Sequence, residues 1–167
     1  SQITTTGTGA VYEPGTVFVH RSGTGRAQFA LVEYVLLDNN GVSQGEALVT
    51  NFGTTVHHGV AKAGTSDGRA AQFRGIAAAT IASNAYGFSI IGGYCEKCDM
   101  SQTTASGHLL AISGSTAGKM TPLGCGTLWN ATLGLSSTLG TAAFAFAMSR
   151  TANATGIGSV SILGVWA

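Results

Sequence analysis

The residues best suited to chemistry are three cysteines and a histidine. Cys95 and Cys98 flank Glu96-Lys97, and His108 and Cys125 follow further along the chain. Because thiolates and imidazoles bind tetrahedral zinc, these four side chains could hold one zinc ion. The second pair lacks the close spacing of a zinc knuckle. Two alternatives therefore stay open: a Cys95 to Cys98 disulfide, and unlinked thiols assembled in a reducing cytosol. We expect unlinked cysteines, with no metal and no cofactor.

The other candidate motifs do not predict catalysis. Ser66 lies at the centre of Gly64 to Gly68, a Gly-x-Ser-x-Gly pattern, but the alternating sheet of a hydrolase does not fit into 167 residues. We interpret this segment as a polar turn, and His57-His58 as a solvated pair without further nearby ligands. The seven acidic residues are scattered, and no glycine-rich phosphate fingerprint opens a helix. We expect a protein that is not an enzyme.

Charge is the unusual feature of the composition. Asp, Glu, Lys and Arg make up 9% of the chain and hydrophobic residues 44%, whereas globular proteins usually carry about 25% charged residues. Because interface centres are depleted in charge, we expect other subunits to cover much of the surface. A net charge of +1 without a basic cluster predicts no nucleic-acid partner. Residues 131–148 contain too many polar residues to span a membrane, and the first residues lack a signal-peptide pattern.

Short β-favouring runs between glycine-rich turns predict an all-β fold, a single β-barrel or β-sandwich domain. Residues 73–94 predict two strands joined by a turn at Ser83-Asn84, with a helix over 70–82 as the alternative. Residues 28–38 predict a strand buried on both faces, again with a helix as the alternative. Further strands are predicted at 17–19, 45–49, 107–113, 143–148 and 160–162.

Strict alternation marks the segment Ala143 to Met148. Phe144, Phe146 and Met148 alternate with three alanines, so the large side chains are expected on a core face and the methyl groups on the opposite face. Residues 153–158 are predicted to form a turn before the last strand.

Residues 1–27 are predicted to form an extended N-terminal arm, and residues 28–167 the β-rich domain. The arm is rich in Gly, Thr and Ser around one apolar island, which is typical of a segment that orders against a neighbour. Its two arginines are expected to meet an acidic partner surface. The predicted partner-contact residues are Thr16, Val17, Phe18, Val19, Arg21 and Arg26.

Several segments in a fixed order carry a family resemblance over about two thirds of the chain. They are residues 45–49, 73–77, 85–94, 107–118, 143–148 and 160–162. This order resembles small capsid decoration, or cement, proteins of tailed bacteriophages. In that family an acid often follows the glycine of the 107–118 motif, where this chain has His108, and the cysteine cluster is not a family feature.

The resemblance implies a homotrimer on the outer surface of the virion, assembled in the host cytoplasm. Its partner would be the major capsid protein, and it would stabilise contacts between shell subunits without nucleic acid or membrane. The alternative is a receptor- or glycan-binding β module of a phage fibre or surface protein, for which Trp129 beside Asn130 is a weak indication.

Overall fold

The structure, a computed structural model, describes residues 3–22, 28–38, 40–51, 58–64, 73–122, 147–150 and 154–163. Within these ranges the regular elements are β-strands, which confirms the predicted all-β class and is consistent with a single β domain. The strands are β1 (Val17–Ser22), β2 (Gln28–Leu37), β3 (Ala47–Thr50), β4 (Gly59–Lys62), β5 (Phe73–Ala77), β6 (Tyr86–Thr104), β7 (Leu109–Ile112), β8 (Met120–Pro122), β9 (Ala147–Ser149) and β10 (Ala154–Ile162).

Strand β6 organises the sheet. Its 19 residues pair antiparallel with β2, β5 and β10, and parallel with β8. The pairings β2–β4–β3–β5–β6–β2 return to their starting strand, and so do β6–β10–β9–β7–β8–β6. The sheet therefore contains two closed rings of five strands that share β6.

The two faces of β2 are buried in different cores. Ala30, Val32 and Tyr34 belong to a large cluster that extends along β6 to β10. Val35 and Leu37 belong to a smaller cluster that also contains Leu48 of β3 and Val60 of β4. Because successive side chains of a strand point to opposite faces, one strand can supply both clusters.

The hairpin prediction for residues 73–94 is confirmed. Strand β5 pairs antiparallel with β6, and Asn84 in the connection has a φ of 55°, a left-handed conformation that asparagine tolerates better than most residues. The helix alternatives are wrong for residues 28–37 and 73–77, since both segments are strands. Burial of both β2 faces is correct only from Val32 onward, because Phe29 and Leu31 are exposed.

The C-terminal predictions need two corrections. Ala147 is fully buried while Met148 is 36% exposed, so in β9 the small side chain faces the core; Phe144 and Phe146 lie outside the described residues. Strand β10 already begins at Ala154, within the segment predicted to be a turn. Register shifts against β6 accommodate this glycine-containing segment in a strand.

Candidate interaction surface

The main candidate site is an apolar sheet face that nothing covers in the described part of the chain. Val17 and Val19 of β1 are 52% and 70% exposed, and Phe29 and Leu31 of β2 are 57% and 45% exposed. The register pairs Val19 with Leu31 and Arg21 with Phe29. Residues directly opposite each other in an antiparallel pair share a face. We call Val17, Val19, Arg21, Phe29 and Leu31 the β1–β2 face.

The β1–β2 face continues a buried face of the same strand. Along β2 the odd-numbered positions run from exposed Phe29 and Leu31 to Glu33, Val35 and Leu37, which are all buried. These positions are therefore all apolar except Glu33, but their side-chain exposure falls sharply between Leu31 and Glu33. Contiguous exposed apolar patches of this kind commonly mark binding sites in soluble proteins.

Strand β1 also has a free backbone edge. The Tyr34 amide donates to the Thr16 carbonyl at 2.9 Å, so these residues form a hydrogen-bonded pair. Because hydrogen-bonded and non-hydrogen-bonded pairs alternate in an antiparallel ladder, the backbone groups of Val17, Val19 and Arg21 point away from β2. Among the residues described here, no strand pairs with that edge. The three residues thus present side chains on one face and unpaired amides and carbonyls at the edge.

The five predicted contact residues that the structure describes divide into three groups. Val17, Val19 and Arg21 point outward on the β1–β2 face, whereas Phe18 points inward, with its ring centroid 4.9 Å from that of Tyr12 and 5.9 Å from that of Phe88. The Thr16 hydroxyl donates to the Glu13 carbonyl at 2.6 Å and so holds the turn before β1.

Arg26 lies outside the described residues. Sequence reasoning missed Phe29 and Leu31 as surface residues, because an alternating apolar run does not reveal which face lacks a cover. Their position next to the glycine-rich segment that precedes β2 was the sequence feature that could have indicated surface exposure.

A buried charged cluster lies next to the β1–β2 face. The Glu33 side chain is 3% exposed, and its Oε1 lies 2.6 Å from Arg74 Nη2 and 2.8 Å from His58 Nδ1. Glu33 Oε2 and Arg74 Nε are buried and have no hydrogen-bond partner among the described residues. The His58 side chain is 40% exposed, in agreement with the predicted solvated position, but its ring also contacts Glu33 and Arg74. His57 lies outside the described residues. The Glu33–Arg74 pair links β2 to β5, and among the described residues the His58 ring lies within hydrogen-bond distance of both side chains.

The cluster also fixes the turn before β1. Gly15 has a φ of +94°, and a Cβ there would lie 2.6 Å from Cδ2 and Nε2 of the His58 ring. His58 itself adopts a φ of 65°, which is uncommon for a residue other than glycine. This close approach ties the segment that leads into β1 to the start of β4.

The cysteines are buried within the sheet. Cys95 and Cys98 are free thiols in the large core cluster. The Cys95 thiol donates to the Lys97 carbonyl at 3.0 Å. Burial raises the pKa of Cys95 to about 12 and raises that of Cys98 well above its ordinary value. Both thiols are therefore protonated, and they are poor nucleophiles at neutral pH.

The structure does not bring the predicted zinc ligands together where it describes them. His108 Nδ1 accepts a hydrogen bond from the Ala105 amide at 3.3 Å, within the turn before β7. In the described ranges no three His, Cys, Asp or Glu side chains are arranged to hold a metal ion. Cys125 and Ser66 lie outside those ranges, as do Trp129 and Asn130.

Comparisons with known proteins identify no family for this chain. No model of a known protein family matches the chain, and no curated protein is significantly similar to it in sequence. The described residues contain no helix that is long and apolar enough to cross a membrane.

Proposed function

We propose that this protein is a non-enzymatic capsid decoration, or cement, protein of a tailed bacteriophage. In this role it binds the outside of the icosahedral head as a homotrimer and stabilises contacts between major capsid proteins. The β1–β2 face carries the proposal, because it is an apolar surface that none of the described residues covers, on a chain with only 9% charged residues. Charge depletion and exposed apolar side chains together favour a protein whose exterior is covered by other subunits.

The free energy gained by burying this face favours binding at several sites at once over binding at a single site. Complete burial of one Val, Leu or Phe side chain contributes about 1.5–3 kcal/mol. The four apolar side chains of the face are roughly half exposed, so covering them contributes about 3–6 kcal/mol in total. Association itself costs about 4–15 kcal/mol. A single face is therefore a weak anchor, whereas a trimer that engages several equivalent sites at once binds firmly.

The free edge of β1 supplies the remaining specificity. An extended segment of the shell protein that pairs with Val17, Val19 and Arg21 would satisfy their backbone groups and place alternate side chains over the β1–β2 face. Arg21 is exposed and has no ion-pair partner in the described part of the chain. An acidic residue on the partner, opposite Arg21, would complement this charge.

The resemblance of the motif order to phage decoration proteins supplies the identity of the partner. On this proposal the protein is assembled in the host cytoplasm, acts on the virion surface, and needs no cofactor, nucleic acid or membrane. Its activity is the burial of surface between shell subunits, so the relevant readout is the stability of the shell.

Purified protein mixed with expanded, undecorated capsids tests the proposal. We expect saturable uptake at a fixed number of copies per capsid and a higher capsid disruption temperature. Leu31→Ser should reduce uptake strongly. Ile157→Ser is the matched control, because Ile157 is also an exposed aliphatic side chain, 61% exposed on β10, and it should leave uptake unchanged.

The experiment also has an outcome against the proposal. No uptake by the unchanged protein, or equal uptake by Leu31→Ser protein whose urea unfolding curve matches that of the unchanged chain, would exclude the β1–β2 face as the capsid contact. Light scattering on the free protein tests the homotrimer separately, and a monomer at all concentrations would contradict it.

A further inference from the structure

The connection between β2 and β3 contains the sequence Asn40-Gly41, and asparagine is a chemically labile residue. Both residues of this pair are exposed. Asn40 has a φ of 68°, in the left-handed region that asparagine tolerates better than most residues. Water therefore reaches the side-chain amide of Asn40 and the peptide bond that joins the two residues.

The residue after this pair is held in place, but the pair itself is not. Val42 exchanges two backbone hydrogen bonds of 2.9 Å with Ile81 and is buried. Among the described residues, neither the Gly41 amide nor the Asn40 side chain has a hydrogen-bond partner. Gly41 also carries no side chain that would shield its nitrogen. The Gly41 nitrogen and the Asn40 side chain can therefore approach each other without breaking a contact.

The other two asparagines that the structure describes lie in less reactive surroundings. The side-chain amide of Asn51 donates to Asp38 Oδ2 at 2.5 Å. Asn84 is followed by buried Ala85, whose backbone nitrogen donates to the Ala82 carbonyl at 3.2 Å. At each of these positions a hydrogen bond must break before the following nitrogen can attack the side chain, whereas no such step precedes reaction at the exposed pair.

We propose that Asn40 is a site of spontaneous deamidation. The Gly41 nitrogen loses its proton and attacks the side-chain carbonyl carbon of Asn40, and the bond from that carbon to the side-chain nitrogen breaks. The departing nitrogen takes up the proton and leaves as ammonia, so that a succinimide ring closes. Water then adds to one of the two ring carbonyls and opens the ring, which leaves aspartate or isoaspartate at position 40. Water is the only co-reactant, and no group is oxidised or reduced.

The new carboxylate changes a chain that carries few charges. One added negative charge takes the formal net charge at pH 7 from +1 to zero, and proteins with a net charge near zero associate more readily. Asn40 follows the end of β2, whereas Phe29 and Leu31 lie near the start of that strand. The modification therefore leaves the β1–β2 face unchanged, and it does not depend on the capsid role.

Incubation of the full chain without any enzyme, at neutral and at mildly alkaline pH, tests the inference. Isoelectric focusing measures the fraction of acidic protein, and peptide mass spectrometry locates the modified residue and separates Asn40 from its neighbour Asn39. We expect the acidic form to accumulate faster at alkaline pH, because the attacking nitrogen must lose its proton. Asn40 should react about tenfold faster than Asn51 or Asn84, the factor that corresponds to one hydrogen bond broken before reaction.

Variants identify the reacting pair. Asn40→Gly removes the side chain but suits the left-handed backbone, so it should abolish this acidic form. Gly41→Ala places a Cβ beside the attacking nitrogen, 3.3 Å from the Ile81 carbonyl oxygen, and should slow the reaction. Asn84→Gly is the matched control, because Asn84 also has a positive φ, 55°, and it should leave the rate unchanged. Circular dichroism spectra check that each variant is folded.

Three results would overturn the inference. They are the absence of an acidic form after incubation of the native chain, first modification at an asparagine other than Asn40, and an unchanged rate in folded Asn40→Gly protein. None of these measurements involves capsids, so failure of the deamidation site and failure of the capsid role are distinguishable.

Discussion

Removal of Arg74 is the sharpest test of how the fold is held together. The Arg74→Leu substitution leaves the carboxylate of Glu33, 3% exposed, with the His58 ring as its hydrogen-bond partner among the described residues. Glu33 Oε2 has no hydrogen-bond partner in the described part of the chain, so no contact at this oxygen compensates there for loss of the 2.6 Å contact at Oε1. We expect the free energy of unfolding to fall by about 3–5 kcal/mol, the usual cost of an uncompensated buried charge.

Urea unfolding followed by circular dichroism measures this loss. The double variant Glu33→Leu/Arg74→Leu removes both charges, so it should recover most of the stability lost by Arg74→Leu. Lys119→Met is the control, because the Lys119–Asp99 pair is partly exposed at 31% and 21% and 3.2 Å apart. It should cost no more than about 1 kcal/mol.

A small fall in the free energy of unfolding for Arg74→Leu would contradict this prediction. If Arg74→Leu costs no more than Lys119→Met, Glu33 is not confined in the buried site that the structure shows. If the double variant is less stable than Arg74→Leu alone, the pair contributes net stability, and the desolvation argument is wrong for this site.

Two further predictions concern the core and the turn before β1. Cys95 and Cys98 should stay unmodified by iodoacetamide in the native protein at neutral pH and react fully in urea. Burial is the reason, because it raises the pKa of Cys95 to about 12 and that of Cys98 well above its ordinary value. Peptide mass spectrometry measures modification at each cysteine, and rapid alkylation of the native protein would contradict the burial. Gly15→Ala should lower the free energy of unfolding, measured by urea denaturation, by more than about 1 kcal/mol, since φ is +94° and the new Cβ meets the His58 ring. A stability equal to that of the unchanged protein would show that this contact is absent in solution.

Local patterns in the sequence were sufficient to locate several strands. The alternating run that became β2, the glycine-led strand β3, the β5–β6 hairpin and β7 all coincide with predicted segments. A strand has a side-chain period of two and a turn has particular residue preferences, and both properties depend on neighbours in the sequence. The low charge content, likewise, is a property of the composition alone.

The cover over each face depended on the tertiary structure. Phe29 and Leu31 follow the same pattern as Val35 and Leu37, yet only the second pair is buried. The difference arises because side chains of β3 and β4 pack against Val35 and Leu37. Residues 28–33 of β2 pair instead with β1, whose side chains on this face are exposed. Ala147 and Met148 show the same effect, since alternation defines two faces without stating which one meets the core.

Long-range pairing decided the candidate sites. Glu33, His58 and Arg74 are far apart in the sequence, and the closed ring of β2, β4, β3, β5 and β6 brings them together. A surface cleft likewise joins His20 of β1 to Glu96 of β6. The position of a strand in the sequence follows from local side-chain alternation. These sites depend instead on which strands pair with one another, and strand pairing depends on the burial that the whole chain achieves.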